Sequence, residues 1–299
     1  MPLADPRPIL AAARTARRGV GAFNATLLEH AEALVTGAEA ARAPLVMQVS
    51  ENAVRYHGAL RPLALAARAL ADAADVPVVL HLDHAEDTAL VREAVALGFT
   101  SVMYDGSRLP DDENRATTRD VVAHCHAHGV AVEAELGEVG GKDGVHAPGA
   151  RTDPAEAARF CADTGVDALA VAVGTSHAMA SRDAVVDLDL VAAIAARVPV
   201  PLVLHGSSGV DDATLRTVVT RGMTKINVAT HLNKVFTAVV RQRLDADPRL
   251  LDARRYVAPA RDAMAAEVTR LLLLLHDPLA GDGPAGVPGS GAARSGEPA

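Results

Sequence analysis

Three histidines, His84, His177 and His205, stand in well-separated segments, each where an apolar run gives way to polar residues. Converging from different segments, three imidazoles make a catalytic zinc arrangement that leaves one coordination position open. Neutral imidazole suits Zn2+, with cobalt or iron as alternatives. Two oxygen donors, Asp105 and Glu135, end similar apolar runs and are candidates to hold a second divalent ion. Glu133 and Glu135 share a face in "VEAEL"; Glu135 is preferred because it lies nearer the end of the run. In "VPVVLHLDHAED" the period of two puts His81 and Asp83 on one face and His84 on the other. His84 is therefore expected just past the last paired residue, where the chain turns inward, and His81 is expected to pack or to support the site.

A second pattern concerns anions. "LHGSSG" (204–209) and "INVAT" (226–230) put small residues after two apolar runs, and "NVAT" leads into the helical pattern "HLNKVFTAVVRQRL". Gly206 and Gly209 let backbone N–H groups approach an anion, Ser208 adds a hydroxyl, and the start of a helix favours negative charge. The plain alternative is a tight turn with Thr230 as N-cap.

These residues need a frame to bring them together. Short β-branched runs recur at 20–24, 44–50, 76–83, 101–105, 130–136, 168–174, 201–206 and 225–229, with Ala-rich helical patterns between them. Eight strand–helix units in 299 residues point to one (β/α)8 TIM barrel, whose chemistry sits where the strands finish. The strand endings are Asn24, Ser50, Asp83–His84, Asp105, Glu133/Glu135, His177, His205 and Asn227, and so many polar endings on one rim read as a site. A doubly wound sheet would want a Gly-rich turn after the first strand, and "VGAFNATLLEH" is none. The barrel domain is expected over 1–276 with a C-terminal helical extension. "LLLLL" (271–275) is assigned to the last core helix and 277–299, rich in Gly, Pro and Ala, to a disordered tail.

Composition narrows the function classes. The net charge is −8 with no dense Lys/Arg cluster, which argues against nucleic-acid binding. The N-terminus lacks a long apolar stretch and "LLLLL" is too short to span a bilayer, so no signal peptide and no membrane partner are expected. Cys125 and Cys161 lack metal or redox spacing and read as free thiols of a reducing cytoplasm. Aromatic residues are only 2% of the chain, so Ala, Val and Leu must build the core.

The motifs "AFN", "VSENAVRYHG", "HLDH", "SVMYDGS", "VEAELGEVGG", "AVGTSHA", "LHGSSG" and "KINVAT" together resemble the class II, metal-dependent ketose-bisphosphate aldolases, in order, over about residues 8–276. The resemblance implies reversible cleavage of a fructose or tagatose 1,6-bisphosphate to dihydroxyacetone phosphate and glyceraldehyde 3-phosphate, through a metal-stabilised enediolate. It implies Asp83 as acid/base; His84, His177 and His205 as zinc ligands; and Asp105 and Glu135 at a second metal position. It implies dihydroxyacetone phosphate contacts from Gly206, Ser208, Asn227, Val228, Ala229 and Thr230, and a contact from Ser50 to the aldehyde half. A monovalent cation near the phosphate is a further implied cofactor, and a homo-oligomer, dimer or tetramer, the implied assembly. Asn24 completes the candidate substrate contacts.

Three positions depart from the family pattern. The acidic loop after the fifth strand is replaced by "GGKDGVHAPG", where Asp143 is the nearest carboxylate and Glu138 a weaker candidate for moving a proton at the ketose carbon. Ala178 replaces a glycine that gives an amide to phosphate, and Ser207 stands where relatives have Gly or Ala. Lys225 is the lysine to suspect of Schiff-base chemistry, a role that a metal would make redundant. Arg254, Arg255 and Arg261 are candidates for a second phosphate or plain surface charges. Other readings are an aldolase for another phosphorylated ketose, such as 6-phospho-5-dehydro-2-deoxygluconate of inositol catabolism, a metal-dependent phosphosugar epimerase, or a turnover-deficient phosphosugar-binding paralogue.

Overall fold

The computed structural model describes residues 3–137, 151–176 and 181–278. Asp143 and Glu138, with His177 and Ala178, lie outside the described residues, as does the tail from 279 onward.

The chain begins with α1 (Pro6–Ala16), which starts because Asp5 accepts a hydrogen bond from the Arg7 amide while Pro6 fills the first turn without needing a donor. Then β1 (Val20–Asn24), α2 (Leu28–Ala41), β2 (Leu45–Ser50), α3 (Glu51–His57), α4 (Arg61–Ala73), β3 (Val78–Ala85), α5 (Thr88–Ala96) and β4 (Ser101–Tyr104) follow. The second half runs α6 (Asp111–Ala127), β5 (Ala131–Leu136), α7 (Pro154–Thr164), β6 (Ala168–Val171), α8 (Leu188–Ala195) and β7 (Leu202–Leu204). It ends with α9 (Asp212–Arg221), β8 (Met223–Val228), α10 (Thr230–Ala246) and α11 (Arg254–His276). The strands close in sequence order, all parallel, with β1 pairing β8. This is the (β/α)8 barrel that the alternation of runs implies.

Alternation along each strand separates two cores. Phe23, Leu45, Met47, Leu80, Leu82 and Leu204 face the helices in the main cluster, where α11 contributes Leu271, Leu272, Leu274 and Leu275. The "LLLLL" run thus belongs to a core helix. The in-between positions, Val20, Ala22, Val46, Val79, Met103, Ala168, Ala170 and Val203, fill the barrel interior together with Leu10 of α1. Small side chains pack this interior, as the scarcity of aromatics requires.

Helix α1, which the sequence reading did not anticipate, closes the N-terminal mouth of the barrel. Its arginines bind carbonyls of the turns that precede strands: Arg7 to Gly129 at 2.9 Å and Arg14 to Val198 at 2.7 Å. With that end closed, the interior opens at the C-terminal ends of the strands. Along the same inward rows the residues change from apolar to polar in that direction: Val79, His81, Asp83 on β3; Val46, Gln48, Ser50 on β2; Ala131, Glu133, Glu135 on β5. Cys125 and Cys161 are free and buried on α6 and α7, where burial pushes their thiols up to about 11 and about 12. No helix among the described residues is long and apolar enough to cross a membrane.

Candidate active site

Strand β3 does not stop before His84. Leu82 pairs with Val102 and Ala85 with Tyr104, so three steps on β3 face two on β4. This is a bulge with one extra residue, and it contains Asp83 and His84. His84 takes φ +49°, in the left-handed region, unlike Arg17 and Arg42, whose positive φ values end helices. Such a conformation costs a non-glycine residue on the order of 1–3 kcal/mol. In return, two consecutive side chains, which a regular strand would send to opposite faces, reach one site. The expected inward turn of His84 is real, but the expected end of the strand is not: pairing resumes at Ala85.

The side chains at this rim are fixed by hydrogen bonds. Gln48 Nε2 donates to Asn24 Oδ1 at 3.4 Å, and Asn24 Nδ2 donates to Asp83 Oδ2 at 2.7 Å. The other oxygen, Asp83 Oδ1, is buried and makes no hydrogen bond among the described residues. His84 Nδ1 lies 2.7 Å from Asp105 Oδ2, and Asp105 Oδ1 accepts from the Ser107 hydroxyl at 2.7 Å. His205, just past β7, places Nε2 3.0 Å from Glu133 Oε1, while Glu133 Oε2 pairs with Lys225 Nζ at 2.9 Å. The Asn227 amide sits 3.3 Å from each nitrogen of the His205 ring.

Each imidazole thus has one nitrogen held by a carboxylate, which in the neutral ring fixes the other nitrogen as the lone-pair donor, the usual support of a metal-ligating histidine. The two rings meet edge to face with centroids 4.5 Å apart. Potential ligand atoms of Asp83, His84 and His205 all lie within 4.8 Å of one another, and so do those of His84, Asp105 and Glu135. Burial opposes protonation of His84, yet the carboxylates of Asp83, Asp105 and Glu135 outweigh it and push the ring up to about 9. A pocket with that surplus of negative charge and nitrogen and oxygen donors fits a divalent cation of borderline softness.

Other interior polar groups support rather than line this cluster. His81 packs with Nδ1 2.8 Å from the Ser101 hydroxyl and is held well below the usual imidazole range, first by burial and then by nearby Lys225. Lys225 is committed to its ion pair with Glu133, below the rim and almost fully buried.

The turn after β7 and the start of α10 also meet at this rim, with different capping from the plain reading. Thr230 does not cap α10. The Ser208 hydroxyl, reaching from the turn after β7, accepts from the amides of Ala229 at 3.3 Å and His231 at 3.2 Å. Gly206 has φ +69°, and a Cβ there would lie 2.6 Å from the Ser176 carbonyl oxygen. Gly206→Ala is therefore expected to lower the melting temperature and weaken phosphate-ester binding together, measured by thermal unfolding and by KM. The Ser207 hydroxyl turns away and donates to the Leu204 carbonyl at 3.0 Å, and Val228 is buried toward the helices, so only their backbones can serve a ligand.

One cleft of about 600 Å3 unites both halves. Its walls include Asn24, Ser50, Asp83, His84 and His205, together with Gly206, Ser208, Asn227, Ala229 and Thr230 from the turn after β7 and the start of α10. Ser50 also caps α3, accepting from the Ala53 amide at 3.2 Å. Asn52, in the first turn of α3, lines the cleft too and was not singled out from sequence. Neither Arg254 nor Arg261 lines it: Arg254 pairs with Asp252 at 2.9 Å and Arg261 with Glu32 at 3.0 Å.

Comparison with known proteins adds a family. The model of "Fructose-bisphosphate aldolase class-II" matches residues 4–277. A fructose-bisphosphate aldolase of Geobacillus stearothermophilus is 37% identical over 272 residues, covering 90% of this chain and 95% of the relative. A 6-phospho-5-dehydro-2-deoxy-D-gluconate aldolase of Shouchella clausii (strain KSM-K16) is 39% identical over 252 residues, covering 82% and 86%. The crystal structure of the YdjI aldolase from Escherichia coli K12 superimposes with a TM-score of 0.81 at 29% identity, covering 91% of this chain and 97% of that one.

Proposed function

Because the chain belongs to the class II fructose-bisphosphate aldolase family, a family of metal-dependent lyases acting on phosphorylated sugars, we propose that it cleaves a ketose 1,6-bisphosphate reversibly into dihydroxyacetone phosphate and glyceraldehyde 3-phosphate. The observation that carries this reading is that a single cleft holds both the Asp83–His84–His205 cluster and the amide-rich start of α10.

His84 and His205, with His177 as third ligand, would hold Zn2+; Asp105 and Glu135 would serve a second ion. A divalent ion held there supplies Lewis-acid polarisation of the ketose carbonyl. The chain's own residues do the rest. The substrate's ketose phosphate replaces the Ser208 hydroxyl as acceptor for the α10 amides, with Gly206 and Asn227–Thr230 closing around it. Ser50 and Asn24 face the remainder of the sugar.

Asp83 Oδ1 takes the proton of the C4 hydroxyl. The C3–C4 bond breaks, C4 becomes the aldehyde carbon, and the bonding electrons pass to the ketone half, whose C3 then accepts a proton. Asp143 is the nearest carboxylate by sequence for that second transfer. Asn24 holds Asp83 by Oδ2, which aims Oδ1 at the hydroxyl. A monovalent cation beside the phosphate, a homo-oligomeric assembly and a cytoplasmic location complete the proposal.

Ser208→Ala is expected to raise KM for ketose phosphates about tenfold with a smaller change in kcat, since the hydroxyl, once displaced from the two amides, is free to donate to the phosphate, and a hydrogen bond to a charged group is worth about 1.5 kcal/mol or more. Steady-state kinetics at saturating metal check this.

The substrate itself is tested by a coupled triose-phosphate assay over fructose and tagatose bisphosphates and 6-phospho-5-dehydro-2-deoxygluconate, with and without added Zn2+. The Shouchella clausii relative, at 39% identity, makes the last the second reading for substrate. Release of dihydroxyacetone phosphate from fructose or tagatose bisphosphate supports the proposal and names the sugar, whereas release from 6-phospho-5-dehydro-2-deoxygluconate alone would establish the second reading in its place. Interconversion of epimers without triose phosphate would replace it with an epimerase, and binding without turnover would leave a phosphosugar-binding protein.

A further inference from the structure

Helix α10 begins without a side-chain cap of its own. Its N-cap residue is Ala229, which has no polar side chain to bond the first amides, and Leu232 and Phe236 are the buried side chains of its 17 residues. What fixes the first turn comes from other elements. The Ser208 hydroxyl reaches the amides of Ala229 and His231 from the turn after β7. The His231 side chain reaches α11, with Nε2 2.6 Å from Glu267 Oε1. A carboxylate only accepts, so Nε2 carries the hydrogen and donates.

Glu267 is not a loose surface carboxylate, whose ion pairs would be worth little. Arg270 grips it with two hydrogen bonds, Nε to Oε2 at 2.9 Å and Nη2 to Oε1 at 2.8 Å. Such a fork fixes orientation as well as adding attraction. Arg270 Nη1 in turn binds Asp212, the first residue of α9, at 2.5 Å, and Asp212 also accepts from Arg182 at 2.6 Å. Burial pushes Glu267 up, but the hydrogen bonds from His231 and Arg270 outweigh it and hold its carboxyl down at about 2. Helices α9, α10 and α11 and the segment before α8 thus share one ion-pair chain. Its far end is the residue whose amide the Ser208 hydroxyl now occupies.

We infer that Glu267 is a positioning residue for phosphate: through the His231 side chain it sets the direction of the first α10 amides. Neither Glu267 nor His231 lines the cleft, so the effect passes through the backbone rather than through contact with the sugar. Amides that are already aimed need no ordering when the anion arrives, and preorganisation of that kind raises affinity. Without the tether the uncapped turn keeps its amides but loses their common direction. The inference rests on the proposed place of the ketose phosphate at the start of α10, and extends that site to a residue on α11.

The test compares full-length, Zn2+-loaded wild type with Glu267→Ala, His231→Ala, the double variant and Glu267→Gln. Each is titrated with inorganic phosphate in a calorimeter, beside steady-state kinetics and thermal unfolding. Glu267→Ala and His231→Ala are each expected to weaken phosphate binding and raise KM about threefold to tenfold, with little change in kcat. The double variant should be no worse than either single one, because both remove the same tether. Glu267→Gln keeps an acceptor for His231 Nε2 and should recover most of the wild-type affinity. A lower melting temperature with unchanged phosphate affinity and KM in both alanine variants would overturn the inference. So would additive effects in the double variant, or a wild type that binds no phosphate. Phosphate affinity that falls as expected in a protein that cleaves no ketose phosphate would sink the proposed reaction and leave the tether standing.

Discussion

Asp83→Ala is expected to lose turnover by about a hundred- to ten-thousand-fold, the range for removal of a general base, while the protein keeps its metal. The side chain sits beside His84 in the β3 bulge, with Oδ2 held by Asn24 and Oδ1 facing the cleft without a hydrogen-bond partner among the described residues. Its oxygens are also close enough to His84 and His205 to ligate. Two roles are therefore open to one carboxylate, and they separate on measurement. Metal analysis of the purified variant beside its kcat decides: metal retained with turnover lost assigns the proton to Asp83, whereas metal lost with turnover assigns a ligand. Asn24→Ala should show a milder form of the same defect, since it frees Asp83 to rotate without removing it.

His205→Ala, by contrast, should lose metal and activity together, and chelation of wild type should reproduce that loss and be reversed by added Zn2+. His205 is nearly inaccessible, is fixed through Nε2 by Glu133, and shares an edge-to-face contact with His84. Removing the ring leaves Glu133 bound to Lys225 and creates a void at the centre of the donor set. An about thousandfold or greater fall in kcat/KM is expected, because loss of a catalytic metal removes the several kcal/mol of charge stabilisation that it supplies. Added Zn2+ should not restore the variant at concentrations that saturate wild type. An apo enzyme that remains fully active would contradict the metal-dependent mechanism.

Much of this site was legible because a barrel strand announces its own end. An inward row can stay apolar only while it is packed, so Asn24, Ser50, Asp83, Asp105, His205 and Asn227 stand out at the point where their runs stop. The bulge at Asp83–His84 was not legible. A period of two says which residues share a face but nothing of an extra residue, whose existence depends on the length of the partner strand. The role of Glu133 was hidden for a similar reason: its partners, His205 and Lys225, are 72 and 92 positions away, and only closure of the barrel brings them together. Ser208 was expected at the phosphate corner, but its present task as acceptor for two α10 amides replaces the local cap that Thr230 suggested. Helix α1 had a readable start in Asp5–Pro6, but its place across the barrel mouth depends on contacts with turns more than a hundred positions away. Cys125 and Cys161, expected as free thiols, are so.

Anomalous diffraction at the zinc edge, from crystals of the Zn2+-loaded enzyme, bears most directly on the idea that His84 and His205 share an ion. A strong peak about 2.0–2.1 Å from a ring nitrogen of each is the expected result. A zinc-loaded, active enzyme with no density between those rings would contradict it.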